Sequence, residues 1–198
     1  MACSTLIMSV SSIISNHMMM SYGTVALAAQ GVAGKVGMLV SMLAMGICMG
    51  LQPAISFAYG RQNRNRIFEI VKKTAVFTFL VGLTLAVLGF IFRREIIHAF
   101  IDNEEVLRYG GVMIFGSLSV GIISGWYQLC QTFLQATGKA DYATFVAFLD
   151  KGLFYLPILF IMARFFDVYG IAFAGPVTTV FSLAAGVFFC VRWYKRWK

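Results

Sequence analysis

The amino-acid sequence predicts an all-α integral membrane bundle of about six transmembrane helices. Of the 198 residues, 60% are apolar and only 12% are charged, and the mean hydropathy is +0.81. Soluble domains carry roughly 45–50% apolar and about 25% charged residues, so this composition is typical of a membrane protein. The apolar runs are continuous and do not alternate with polar residues, which favours helices over a β-barrel.

The first three predicted spans cover residues 2–20, 36–59 and 74–92. The first is uncharged but rich in Ser, Met and Thr, and polar residues at 22–24, together with the 31–35 region, predict a turn after it. The second span ends at a cluster of basic residues, Arg61, Arg64, Arg66, Lys72 and Lys73. Each run is close to the ~20 apolar residues that a helix needs to cross a hydrocarbon core.

The remaining predicted spans cover residues 109–136, 142–163 and 168–191. The fourth is long enough to cross the bilayer with tilt. A turn at 139–141 precedes the fifth span, and a turn around Arg164 and Asp167 separates the fifth from the sixth. The loops are short, as in sequential antiparallel helices, so residues 1–198 are expected to form one bundle.

The net charge of +8 is distributed unevenly between the two ends of the predicted bundle. Basic residues at the ends of the apolar runs give one side a net charge of +8, whereas the charges assigned to the other side cancel. By the positive-inside rule, the basic side is cytoplasmic and both termini lie in the cytoplasm, for a multi-pass protein of the cell (inner) membrane. This distribution argues against a nucleic-acid-binding protein. The sequence also has no recognisable catalytic triad, phosphate-binding loop or metal-ligand cluster, so we expect no enzyme activity and no metal site.

Polar residues recur at helical spacing inside two predicted spans. They are Ser117, Gly121, Ser124, Gln128, Gln131 and Gln135 in the fourth span, and Thr5, Ser9, Ser12 and Asn16 in the first. Spacings of three and four residues place each set on one helical face, which should meet another helix or a cavity and not lipid. Interhelical hydrogen bonds and the wall of a substrate cavity both explain such faces. The candidate cavity residues are Asn16, Trp126, Tyr127, Gln128, Gln131, Gln135 and Tyr155.

Asp150 and Lys151 are the charges predicted well inside a span. At 1.5 Å per residue, Asp150 lies about 13 Å beyond Asp141, near the middle of a ~30 Å core. A charge there costs roughly 2.5–3.5 kcal/mol, so we expect both residues on the interior side of the helix. Because consecutive helical residues project about 100° apart, we expect each charge to have another partner or to contact water in a cavity. An ion-pair network, a proton- or substrate-binding site and a protonated Asp150 remain alternatives.

Residues 50–60, which read G-L-Q-P-A-I-S-F-A-Y-G, carry a motif. Gly50, Gln52, Pro53 and Gly60 match the "G-x-Q-P-I-I-G-x-N-Y-G-A" signature of the multidrug and toxic compound extrusion (MATE) family, where it closes the eighth of twelve spans. Residues 16–31 resemble the end of the seventh span of that family. The 135–140 segment, with Gly138, is similar to its "Q-A-x-G-K" turn, and segments containing Pro157 and Pro176 resemble spans eleven and twelve. The whole chain thus resembles the C-terminal six-helix half of such a transporter.

The resemblance implies one lobe of a two-lobe transporter, with a central cleft between the lobes. The implied activity is cation-coupled antiport, an efflux of drugs or organic cations in exchange for H⁺ or Na⁺, without a resident cofactor. The implied partners are membrane lipid, an N-terminal lobe and the transported small molecule. Met1 falls just after a proline that usually opens the seventh span, so a fragment is expected.

The sequence departs from the family at the sites of ion coupling. Some members place coupling carboxylates in spans seven and ten, but here no acid precedes Glu69 and none lies between Arg108 and Asp141. Asp150 and Lys151, which stand where an Arg-Gln pair is common, are the candidates for coupling. One alternative function is a degenerate structural or regulatory membrane protein without transport. A homodimer, in which two copies enclose the cleft, is the less favoured alternative to pairing with an N-terminal lobe.

Overall fold

A computed structural model describes residues 2–93, 95 and 104–196 and is almost entirely helical over those ranges, with no strand among them. Its long elements are α1 (Ala2–Met20), α2 (Thr24–Gly60), α3 (Arg64–Ile91), α4 (Glu104–Ala136), α5 (Ala140–Phe148), a π-helical segment (Leu149–Phe154) and α6 (Tyr155–Arg196). The predicted all-α membrane bundle is confirmed. Most of the polar connection between the third and fourth predicted spans lies outside the described residues.

Four helices of the described chain are long and apolar enough to cross a membrane: Thr24–Gly60, Arg64–Ile91, Gly110–Ala136 and the continuous stretch Ala140–Tyr194. The last has 55 residues, and a straight helix of that length would measure about 80 Å, far more than a hydrocarbon core of about 30 Å. The backbone of Asp167 (φ 50°, ψ −131°) is not helical. A Cβ added at Gly170 would collide with the Met162 carbonyl oxygen, which a straight helix would place about 12 Å away along its axis. The chain therefore folds back near Asp167, and we interpret Ala140–Tyr194 as two spans; the total of six stays a prediction.

The turn predicted at residues 31–35 does not form, and these residues belong to α2. The part of the turn predicted at residues 22–24 does form, at Gly23, whose φ of 112° is readily available only to glycine. Val32 and Ala33 are buried in the core. Their packing outweighs the cost of about 1 kcal/mol that each glycine imposes on a helix, which explains why Gly31 and Gly34 do not interrupt α2.

Helix α4 is the centre of the bundle, and small residues let its neighbours approach it closely. A Cβ at Gly121 would lie 2.6 Å from Val40 Cγ1 of α2, and one at Gly125 would lie 3.0 Å from Thr78 Cβ of α3. Gly37 of α2 stands in the same relation to Ser117, at 3.1 Å. In a membrane, such close backbone approach and the resulting van der Waals contact drive helix association. The N-terminal part of the polar and small stripe on α4 is therefore a helix-packing face.

Two apolar clusters fill the interior. One contains Met19, Ile114 and Leu159, and the other contains Ile55 and Leu134. Large apolar side chains also cover the outside of the bundle, as expected where the surrounding solvent is lipid.

Candidate functional site

A polar cavity of about 230 Å³ lies between α1, the start of α2, the π-helical segment and the start of α6. We call it the polar cavity, and it is lined by Ser11, Ser12, Ser15, Asn16, Gln30, Lys151 and Tyr155. The structure thus brings Asn16, Lys151 and Tyr155 together, as candidate residues from three different elements. The lining combines hydroxyl, amide and ammonium groups within an otherwise largely apolar bundle.

Ser11, Ser15 and Gln30 are members of this cavity that the sequence analysis missed. Ser11 and Ser15 are 4% and 3% exposed, whereas the predicted stripe members Ser12 and Asn16 are exposed. The spacing of four residues between Ser11 and Ser15 was a usable signal, because it places both on one face of α1. The sequence alone does not show whether the face with Ser11 and Ser15 or the face with Ser12 and Asn16 packs against the neighbouring helices.

Hydrogen bonds join α1 to its neighbours across the polar cavity. Ser11 Oγ donates to the Lys151 carbonyl oxygen at 2.8 Å, and Gln30 Nε2 donates to Ser15 Oγ at 3.3 Å. The buried Gln30 Oε1 has no partner in the described part of the chain. An unpaired buried acceptor is costly, so Gln30 can accept a hydrogen bond from water or a bound molecule.

Asp150 and Lys151 form an ion pair with each other: Lys151 Nζ lies 2.9 Å from Asp150 Oδ2. The expectation of separate partners was wrong, because the flexible lysine stem brings the ammonium group back to the preceding carboxylate. The Asp150 side chain is only 3% exposed and that of Lys151 is 49% exposed. The pair therefore places a buried carboxylate behind an ammonium group that lines the polar cavity, and the described lining contains no other charged residue.

The π-helical segment Leu149–Phe154 carries this ion pair. Pro157 follows it and has no N–H to give to the Leu153 carbonyl, which removes one α-helical hydrogen bond at this point. A Cβ at Gly152 would lie 2.8 Å from Ile7 Cγ2, so α1 packs directly against the segment. π-Helical turns are rare and often lie at functional sites. Here the turn contains both charged residues, Asp150 and Lys151.

The glutamine face of α4 forms a second polar group. Gln131 is buried, and its Nε2 donates to the Tyr127 hydroxyl at 2.9 Å, while Gln128 and Gln135 are half-buried. Asp150 lies within electrostatic range of the Tyr127 hydroxyl. None of the three glutamines lines the polar cavity.

Trp126 lies elsewhere. Its Nε1 donates to the Ala75 carbonyl oxygen of α3 at 2.9 Å, and its ring stacks on Phe79 with a centroid distance of 5.5 Å. The side chain lines an apolar groove on the outside of the bundle and does not reach the polar cavity. On a helix, Trp126 and Tyr127 project about 100° apart, so adjacency in sequence did not imply a shared site.

The motif residues shape the backbone and do not line the polar cavity. Gly60 ends α2, and Gly138 adopts φ 75° in the turn between α4 and α5. Pro53 is exposed within α2, and Pro157 and Pro176 lie within α6, where Pro176 is buried. Gly50 is exposed and Gln52 is half-buried. Among the described residues, no group of three His, Cys, Asp or Glu side chains could hold a metal ion.

Comparison with known proteins identifies the fold and the family. Residues 1–161 match the MatE family. The chain belongs to this family, the MATE transporters. Its relatives include the multidrug export protein MepA of Staphylococcus saprophyticus, which is 25% identical over 182 residues, covering 91% of this chain and 40% of that protein. MepA of Staphylococcus aureus strain MSSA476 is 22% identical over 84% of this chain and 37% of that protein.

Solved MATE transporters share the same helical arrangement. An outward-facing multidrug resistance MATE transporter superposes with a TM-score of 0.89 at 12% identity, over 98% of this chain and 44% of that one. The bent form of the Vibrio cholerae MATE transporter VcmN superposes with a TM-score of 0.88 at 21% identity, over the same shares of the two chains. The chain thus spans about 40% of the length of the relatives it matches, and it is a multi-pass membrane protein of a transporter family and not of an enzyme family.

Proposed function

We propose that this chain is the C-terminal lobe of a secondary active transporter that exports drugs or organic cations in exchange for a cation, H⁺ or Na⁺. The observation that carries the proposal is the polar cavity, in which Lys151, paired with the buried Asp150, stands beside hydroxyl and amide groups inside an apolar bundle. Ionisable groups within a membrane are costly and mark substrate or ion pathways. The export of drugs is supported by the family and by the names of the MepA relatives.

Asp150 and Lys151 would couple transport to the cation. When a proton binds to the Asp150 carboxylate, the ion pair is lost and the Lys151 ammonium group is free to move within the polar cavity. A Na⁺ ion at the carboxylate would compete with Lys151 in the same way. Ser11 of α1 donates a hydrogen bond to the Lys151 carbonyl oxygen, so a movement of Lys151 would also move α1. No resident cofactor enters this scheme.

The polar cavity would face a cleft completed by an N-terminal lobe. Asn16 and Tyr155, at the edge of the cavity, and the glutamine face of α4 are the candidate contacts for the exported molecule. The basic end of the bundle, and with it both termini, would lie on the cytoplasmic side of the cell membrane. A cleft between two lobes needs two walls, and six helices supply one.

The test is expression in a drug-sensitive bacterial strain, with the chain alone and beside the N-terminal lobe of a family member. We expect membrane insertion in both cases, but drug resistance and efflux of a fluorescent organic cation only in the second. Asp150→Asn should abolish both activities, whereas the matched control Asp141→Asn, at an exposed acid on α5, should retain them.

Three outcomes separate the alternatives. Resistance from the chain alone that is lost in Asp150→Asn would show that two copies enclose the cleft. Insertion without resistance under either condition would favour the structural or regulatory protein. That alternative is consistent with the pairing of Asp150 and Lys151, whose charges cancel without a bound cation. Equal resistance of Asp150→Asn and the unaltered chain would refute the coupling role.

A further inference from the structure

The described part of the bundle has a large groove on its outer surface. Its lining, unlike that of the polar cavity, is almost entirely apolar. The groove has a volume of about 1010 Å³ and lies between Ala75 of α3, Trp126 and Leu129 of α4, and α6 from Val180 to Arg192. The polar atom of its tryptophan is already satisfied, since Trp126 Nε1 donates to the Ala75 carbonyl oxygen at 2.9 Å. The wall therefore offers apolar contact along its length and a charge only at Arg192.

The length of the groove matches one leaflet of a bilayer. From Val180 to Arg192, α6 rises about 18 Å at 1.5 Å per residue. Half of a hydrocarbon core that is ~30 Å thick is about 15 Å. Arg192 lies in the last turns of α6, at the basic end of the bundle. With that end at the membrane surface, as proposed above, the groove would run from the surface to about the midplane.

Two cations are candidates to bind a head group: Arg192, which lines the groove, and Lys72, which precedes Ala75 on α3. Glu69, one helical turn before Lys72, is already paired with Arg66 and Lys73. Arg192 is exposed, and Lys72 is exposed three residues before Ala75, on the same side of α3. In the described part of the chain, neither forms an ion pair. Other cations at this end are engaged: Lys73 Nζ lies 2.6 Å from Glu69 Oε1, and Lys139 Nζ lies 4.4 Å from the centre of the Trp193 ring.

We propose that this groove binds an anionic phospholipid of the leaflet at the basic end of the bundle. The acyl chains lie along α6 against Trp126 and Leu129, and the phosphate meets Arg192 and Lys72. Basic pockets between transmembrane helices attract anionic head groups, and a guanidinium group matches phosphate geometry. A zwitterionic lipid carries its own ammonium group beside the phosphate, which weakens its attraction to the two cations.

Quenching of Trp126 fluorescence by brominated lipids tests the proposal, because bromine on an acyl chain quenches a tryptophan that it contacts. The chain has three tryptophans, so Trp193→Phe with Trp197→Phe leaves Trp126 as the only reporter. The full chain is reconstituted in vesicles with equal mole fractions of brominated phosphatidylglycerol or brominated phosphatidylcholine. We expect quenching of Trp126 by the anionic lipid to exceed that by the zwitterionic lipid at least twofold.

The charge of the groove is tested by Arg192→Gln with Lys72→Gln, which should make the two lipids quench equally. The matched control is Arg61→Gln with Arg66→Gln, which removes two positive charges from the same end of the bundle and should keep the preference. Ala184→Phe, which places a ring in the groove, should lower the quenching by both lipids while Trp126 emission without brominated lipid is unchanged.

Equal quenching by the two lipids in the unaltered groove would overturn the proposal. So would a preference that the Arg61 and Arg66 changes remove as fully as the Lys72 and Arg192 changes, since this would show attraction to the general surface charge. Protection of Trp126 from both lipids, together with chemical cross-linking of two copies, would show that a second copy of the chain covers the groove. None of these outcomes depends on transport activity.

Discussion

Lys151 Nζ lies 2.9 Å from Asp150 Oδ2, although the two residues are neighbours in sequence. The carboxylate is buried and the ammonium group is half exposed, so the pair is asymmetric. Its two members therefore depend on each other to different degrees. Burying a charge without a partner is far more costly than leaving one near water.

The asymmetry predicts an order of stability among charge variants. Lys151→Gln leaves a buried carboxylate unpaired and should destabilise the bundle most, by about 3 kcal/mol, since breaking a buried pair typically costs 3–5 and Lys151 is half exposed. Asp150→Asn should cost less, and the double variant should be more stable than Lys151→Gln. Thermal unfolding in detergent measures the order. Identical melting temperatures for the three variants would show that each charge is solvated independently.

Gly121 provides a test of helix packing. A Cβ there would meet Val40 Cγ1 at 2.6 Å, and the β-branched valine cannot easily rotate away. Gly121→Ala should therefore destabilise the protein by about 1–3 kcal/mol, and Val40→Ala in the same chain should restore part of the loss. Gly50→Ala is the matched control, since nothing lies within 4 Å of its added Cβ. Its melting temperature should be unchanged or slightly higher, and a loss equal to that of Gly121→Ala would contradict the packing.

Gly170 tests the fold-back near Asp167. Its added Cβ would meet a backbone carbonyl of Met162, which cannot move without opening the turn. We expect Gly170→Ala to cost about 3 kcal/mol, at the upper end of the range for overpacking. The control Gly175→Ala places its Cβ at an ordinary 3.6 Å from Val120 Cγ2 and should be tolerated. The folded fraction after size-exclusion chromatography reports the difference, and equal recovery of both variants would argue for an open connection.

The predicted topology can be tested with single cysteines in a chain without its native cysteines. Asn65 and Ser21 are suitable positions because both are exposed and they lie at opposite ends of the predicted spans. In intact cells, a membrane-impermeant thiol reagent should label Ser21→Cys, and Asn65→Cys only after permeabilisation. The reverse pattern would place the basic end outside.

The fold could be predicted from the sequence because apolar length and charge distribution are properties of the chain itself. Where the prediction was wrong, contacts between distant residues decided the outcome. Gly31–Lys35 reads as a turn, yet Val32 and Ala33 pack in the core and keep α2 helical. Local propensity is a weak guide wherever such packing opposes it.

The candidate site was predicted in part. Asn16, Lys151 and Tyr155 do meet at the polar cavity, because intramembrane polar residues tend to face the interior. The direct pairing of Asp150 with Lys151 was missed, since the prediction considered where the two side chains project from the helix and not how far the flexible lysine stem can bend back. Trp126 and Tyr127 were both predicted to line the substrate cavity. The hydrogen bond from Trp126 to the Ala75 carbonyl oxygen instead holds the Trp126 side chain on the apolar outer surface of the bundle.

The π-helical segment also has a consequence for how this region evolves. A turn closed by i→i+5 hydrogen bonds holds one residue more than an α-helical turn, so the helical phase before Leu149 is displaced from that after Phe154 by one residue. The insertion or deletion of a single codon is therefore enough to create or erase the wide turn. Erasing it would rotate Ala143 and Val146, both buried, by about 100° relative to α6. We expect homologous chains that lack the turn to align with this one only through a one-residue gap between positions 149 and 154.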